Sequence, residues 1–224
     1  MRNKSESTIR SFTQQSEKGE EVKERILVAA GEFFQKFGIK SVTMEDIAKN
    51  LGISKKTIYL FFKDKDDLVE HVAIRQMEMD VVHLKKIENE SQNIIEHLIK
   101  ISEFIRQRLT ELNPAMIYDL RKYHPKAWKL FADHREHCQE SLVISTLEQG
   151  IKEGYFRNNL DVKALSRMRL LQIEMAFDPN IFPPAEFNLL KIQMQFFEHF
   201  LYGLCTEKGF EMLRKIHQKL AIND

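Results

Sequence analysis

Residues 43–65 read TMEDIAKNLGISKKTIYLFFKDK, and this stretch decides the fold. Thr43 stands where a helix cap is needed, and Asp46 follows it at the spacing of a capping box. Met44, Ile47, Ala48 and Leu51 recur at helical steps and make one apolar face. Gly52 supplies a sharp turn, and Ala48 is small enough for a second helix to cross close by. Ile53 sits at the corner. Ser54 caps a second helix that buries Ile58 and Phe61 and turns Lys55, Lys56, Thr57 and Tyr59 to solvent. In such a helix-turn-helix the second helix enters the major groove of DNA by its N-terminal residues.

The charge pattern agrees locally and not globally. The chain holds 34 Lys+Arg against 33 Asp+Glu, so bulk attraction to nucleic acid is not implied. Between Lys49 and Lys65, however, five lysines face one acid, Asp64. A concentrated positive patch of that kind is what phosphate contacts need. A helical hairpin with a merely solvated basic face is the competing reading of the same residues.

Outward from this core the first helix reads ILVAAGEFFQKFG, and the stretch SVTMEDIAKNLGISKKTIYLFFKDKDDLV follows it. From about Lys23 to Leu68 the chain resembles the DNA-binding domain of the TetR family of one-component bacterial regulators. The resemblance implies an all-α chain with an N-terminal three-helix DNA-binding domain and a larger C-terminal helical domain. That larger domain would bind a small-molecule effector and make a homodimer, and the protein would repress a palindromic operator. It also assigns Lys65, at the start of the fourth helix, to a phosphate. The expected DNA-contacting set is Thr43, Ser54, Lys55, Lys56, Thr57, Tyr59, Lys63 and Lys65. Two positions depart from the family's common pattern: Lys56 stands where glycine is frequent, and Leu60 where a polar residue is frequent.

Composition fits one small head and one larger body. At 224 residues, with 43% hydrophobic content and 16 Phe, the chain can bury two cores. With 8 Gly and 5 Pro, long charged amphipathic runs argue for helices throughout. The expected division is a mobile tail over residues 1–18, a DNA-binding domain over 19–68 and an effector and dimerisation domain over 69–224. Arg2, Lys4 and Arg10 make the tail a candidate DNA arm, beside the plainer reading of a disordered end. Two cysteines, Cys138 and Cys205, are too few for a disulfide framework. Without an apolar run long enough to span a bilayer or a signal-peptide core, a cytoplasmic location is expected, with no membrane partner.

The periodicity predicts about ten helices. They cover about Glu20 to Lys36, the two short helices, a helix that starts after Asp64 as its cap and runs to about Asn89, Asn93 to Leu112 and Ala115 to Arg121. A long helix of about 25 residues then opens at Pro125, followed by Val162 to Phe177, Ala185 to Cys205 and Glu207 to Leu220. The resemblance places the ligand pocket between about Asn93 and Phe177. Candidate lining residues are Phe104, Met116, Tyr118, Trp128, Phe131, His134, Cys138, Met168, Leu171 and Met175, aromatic and thioether groups that suit an apolar pocket. In the late helix Phe187, Leu190, Met194, Phe197 and Leu201 form a stripe that reads as either dimer interface or core.

Catalytic and metal chemistry find little support. His134 and His137 lie one turn apart, yet the second carboxylate and histidine patterns of zinc or di-iron helices are missing. There is no Gly-rich phosphate loop, nucleophile elbow or Cys-x-x-Cys, so neither cofactor, metal nor enzyme activity is expected. A helical enzyme with a scattered site, or a partner-binding adaptor that never meets DNA, are the alternative classes.

Overall fold

A computed structural model describes the backbone of residues 2–134 and 140–221, and the side chains of 18–113, 115–130, 133 and 140–215. Eleven helices lie in these residues. They are α1 (Arg2–Phe37), α2 (Met44–Leu51), α3 (Lys55–Ile58), α4 (Lys65–Asn89), α5 (Ile94–Glu111), α6 (Pro114–Tyr123), α7 (Pro125–His134), α8 (Glu140–Lys152), α9 (Val162–Met175), α10 (Leu189–Leu204) and α11 (Glu207–Ala221). The only extended pairing among them is one antiparallel bridge between Phe156 and Cys205. The fold class is all-α, as expected.

Local chemistry sets most boundaries. Asn113, Asp161 and Asn188 each accept a backbone N–H of the helix they precede, from Ala115, Ala164 and Lys191. The Asn188 cap explains why α10 starts later than the expected Ala185. Residues 183–187 form a turn instead, with the Glu186 and Phe187 amides donating to the Pro183 carbonyl. The long helix expected from Pro125 corresponds to α7 and α8, and residues 135–139 between them lie outside the described residues. So do the side chains of residues 1–17, on which the expected tail falls.

The chain divides into two compact units, residues 1–76 with 112–130 and residues 77–111 with 131–224. This differs from the expected cut after residue 68, because α6 and the start of α7 join the head. Asn113 donates from its amide nitrogen Nδ2 to the Lys36 carbonyl at 2.9 Å and from its backbone to the Gln35 carbonyl at 3.2 Å. Asp119, buried on α6, accepts the Lys40 backbone N–H at 2.7 Å. Gly38 makes the approach close: its φ is +80°, and a Cβ there would sit 3.3 Å from both Ala115 Cβ and Asp119 Oδ2.

The head core gathers Ile26, Phe34, Ile39, Ile47, Ile58, Phe62 and Leu68, with Leu120 and Ala127 from α6 and α7. Each isoleucine, leucine or phenylalanine among them contributes about 1.5–3 kcal/mol on burial. The body core is built separately from Ile95, Leu98, Leu147, Phe156, Phe197, Phe200 and Leu204. There Gly150 leaves room for the Phe156 ring, since a Cβ would fall 2.0 Å from the ring carbon Cδ2.

Candidate nucleic-acid interface

Two caps and one glycine hold the helix-turn-helix. Thr43 Oγ1 accepts the Asp46 N–H at 3.2 Å, while Asp46 Oδ2 accepts the Thr43 N–H at 2.8 Å and its hydroxyl at 2.6 Å. These bonds hold the Asp46 carboxyl below the usual aspartate range. Gly52, at φ +65°, ends α2, its N–H donating to Lys49 and the Ile53 N–H to Ala48. A Cβ at Gly52 would meet nothing, so the left-handed backbone alone calls for glycine there. Ser54 then caps α3, accepting the Thr57 N–H at 3.0 Å and lying 2.8 Å from the Thr57 hydroxyl.

Because α3 is only four residues long, the chain tightens at its end. The Phe61 and Phe62 amides both donate to the Ile58 carbonyl. Phe62 is therefore the fully buried ring beside Ile58, and Phe61, expected in that place, is only partly buried. What remains outside is cationic. Lys55, Lys56 and Lys63 are exposed, and Lys55 Nζ stands 5.9 Å from the centre of the exposed Tyr59 ring. Leu60, one of the departures from the family pattern, is 74% exposed on the same segment.

At the next corner Asp64 accepts the Asp67 N–H at 2.9 Å and Asp67 Oδ2 accepts the Lys63 N–H at 2.8 Å, a reciprocal cap for α4. Lys65, the expected phosphate ligand, has carbonyl partners within the chain. Its ammonium donates to Val42 at 2.5 Å and Ile39 at 2.6 Å, with Lys40 at 3.5 Å. Three N–H donors on three carbonyls leave it none to spare in this conformation. Burial pushes the amine below the usual lysine range, against the pull of Asp119, Asp66 and Asp46. His124 Nδ1 also lies 2.8 Å from Asp66 Oδ1, though not aligned for a hydrogen bond.

Residues 26–72 match the model of bacterial regulatory proteins of the tetR family. Over 145 residues the chain is 31% identical to YvaF of Bacillus subtilis strain 168, an uncharacterised HTH-type transcriptional regulator. The match covers 62% of this chain and 73% of that protein. The chain belongs to the TetR family. TetR-family proteins of this kind are DNA-binding transcriptional regulators and not enzymes, and this chain is one of them. Its fold is similar to a transcriptional regulator of Cytophaga hutchinsonii (TM-score 0.66, 21% identity, 82% of this chain and 98% of that one). It is equally similar to a Saccharomonospora viridis transcriptional regulator solved in complex with choline (TM-score 0.66, 18% identity, 84% and 100%).

The remaining expected site residues of this TetR-family chain are scattered. Met116 and Trp128 pack against the head core and Tyr118 is exposed in the head, so all three belong to the unit built on α1–α3. In the body Phe104 stacks on His83 with ring centres 4.4 Å apart, and Met175 is partly buried. Met168 and Leu171 are exposed, at 40% and 65%. Cys138 and the side chains of Phe131, His134 and His137 lie outside the described residues. Along α10, Phe197 and Leu201 are buried in the body's own core, Leu190 and Met194 are partly covered, and Phe187 just before it is exposed. Among the described residues no three His, Cys, Asp or Glu side chains converge as a metal site, and no helix is long and apolar enough to cross a membrane. Sequence reasoning missed Lys40, Asn113 and Asp119, which tie α6 to the head. Their pairings span 77 to 79 residues and leave no local signal.

Proposed function

We propose that the protein is a cytoplasmic homodimeric repressor that reads a palindromic operator and is released by a small apolar or amphipathic ligand. The observation that carries the DNA half of this reading is the capped α3 with Lys55 and Lys56 exposed at its first turn. Lys55, Lys56 and Thr57 are assigned to bases or adjacent phosphates. Thr43, Tyr59 and Lys63 are assigned to the backbone that sets register. Ser54 and Lys65 act through positioning: one caps α3, and the other pins the loop that presents Thr43.

Dimerisation is supported by apolar side chains left in water on the late helices. Met168 and Leu171 on α9, with Phe187 and Tyr202 near and on α10, offer a surface for a second copy. Two-fold symmetry would set two α3 helices roughly 34–36 Å apart, one turn of DNA. The effector is assigned to the body, with Phe104 and Met175 as lining residues. α4 supplies residues to both units, so a ligand that prefers one body conformation can bias the head through it. Each tenfold loss of operator affinity needs about 1.4 kcal/mol of preference, and operator must weaken ligand binding by the same factor. Ligand affinity measured with and without saturating operator tests this reading. Equal affinities would remove the release step, and failure of the wild-type protein to retard any DNA would remove the regulator.

A further inference from the structure

α9 turns an unexpected face inward. Its apolar Met168 and Leu171 are exposed, while Ser166 and Arg169 are buried. Arg169 is 6% exposed, and its guanidinium carbon lies 5.5 Å and 5.7 Å from the ring centres of Phe197 and Phe200 on α10. Aromatic faces favour a cation but do not neutralise it. An ion withdrawn from water without a counter-charge costs several kcal/mol. Among the described residues no carboxylate forms an ion pair with Arg169; on the same helix Arg167 has Glu140 at 3.3 Å. Arg169 Nη1 is buried with no hydrogen-bond partner, and Gln172 Oε1, one turn further on, is buried and equally without one. Gln193 nearby, by contrast, is satisfied, its Nε2 donating to the Ile173 carbonyl at 2.9 Å. Burial also brings the Arg169 guanidinium down to about 10.

We propose that Arg169 anchors the anionic head of the effector and that the effector is an amphipathic organic acid, its carboxylate on Arg169 Nη1. Gln172 Oε1 accepts from a hydroxyl on the ligand or from a water that enters with it. The aliphatic part is held by the phenylalanines and aliphatic side chains of the body core. A buried cation then has a reason to stand among rings: it selects acids over neutral chains of the same length, because only an acid repays its lost solvation. This deepens the reading that the body binds a small-molecule effector, and rests on it.

The test uses the full chain with hexanoate, decanoate and tetradecanoate against decanol, all below micellar concentration, read by thermal stabilisation and calorimetry. At least one carboxylate should stabilise the wild type well beyond decanol. The variant Arg169→Met should bind that carboxylate about tenfold to a hundredfold more weakly, the worth of a charge-assisted hydrogen bond, and Arg169→Lys should retain part of the preference. Unliganded Arg169→Met should melt no lower than the wild type, since it sheds an unpaired charge. Decanol matching every carboxylate, no carboxylate stabilising the wild type, or unchanged binding in Arg169→Met would each overturn the assignment. A lower unliganded melting temperature without loss of carboxylate preference would make Arg169 a structural brace and overturn it too. Operator retardation by the unliganded wild-type protein is measured separately, so failure of the anchor leaves the DNA-binding reading standing.

Discussion

Replacing Lys65 by Met separates two roles that the position could play. The substitution keeps the apolar stem and removes the ammonium, leaving the Ile39 and Val42 carbonyls without their 2.6 Å and 2.5 Å donor. The Lys40 carbonyl, at 3.5 Å, loses little. A hydrogen bond to a charged group contributes about 1.5–3 kcal/mol, and this half-buried pair sits toward the lower end, so the head should lose roughly 2–4 kcal/mol. Urea unfolding followed by far-UV circular dichroism reads that loss as a lower midpoint. Operator affinity should also fall, because the loop that carries Thr43 loosens. The slope of affinity against salt should stay the same, since no phosphate contact is removed. A phosphate ligand would behave in the opposite way: stability would hold, and the slope would fall by about 0.9. That second pattern would refute the carbonyl-staple reasoning.

Three further outcomes are expected. Lys55→Glu with Lys56→Glu should abolish operator retardation while changing unfolding stability by no more than about 1 kcal/mol, because both side chains are exposed. Asp46 has its folded-state pKa lowered by the Thr43 bonds, so its contribution is full above the ordinary aspartate value of 3.8 and is lost as pH falls through the lower folded value. In Asp46→Asn that acid-side loss should disappear from the stability profile, and an unchanged profile would count against the capping box. Gly150→Ala should cost about 3 kcal/mol or more, because its Cβ falls 2.0 Å from Phe156. Gly203→Ala in α10, where the Cβ meets nothing, should be neutral or stabilising by up to about 1 kcal/mol in the same thermal assay.

Thr43, Asp46, Gly52, Ser54 and Asp64 were legible because each acts within four residues of itself, and caps and left-handed turns leave local spelling. Phe62 was misread in favour of Phe61 because a regular 3.6-residue period was extended past Ile58, where α3 has already tightened. The carbonyl partners of Lys65 could not be foreseen, because they are backbone groups 23 to 26 residues away, which no side-chain pattern announces. In the body, Arg169 was passed over since arginine on an amphipathic helix reads as surface. Only the rings of α10 turn it into an interior group. On the opposite side of α9 Met168 and Leu171, apolar by letter, stand exposed.

The head is not a continuous piece of chain. It takes residues 1–76 and then, after α5, residues 112–130. Any attempt to transplant it onto a different sensor must therefore carry two segments. A fusion cut at residue 76 would strand the Lys40 amide without Asp119 and strip Leu120 and Ala127 from the core of the piece retained. Chimaeras joined inside α4 alone would inherit the donor's α6 against a foreign loop at Gly38, where even an added Cβ would stand 3.3 Å from Ala115 and Asp119. Workable exchanges between relatives must match residues 36–40 with residues 113–124 as a pair, so the unit that evolution or an engineer can shuffle is larger than the helix-turn-helix and interrupted in sequence.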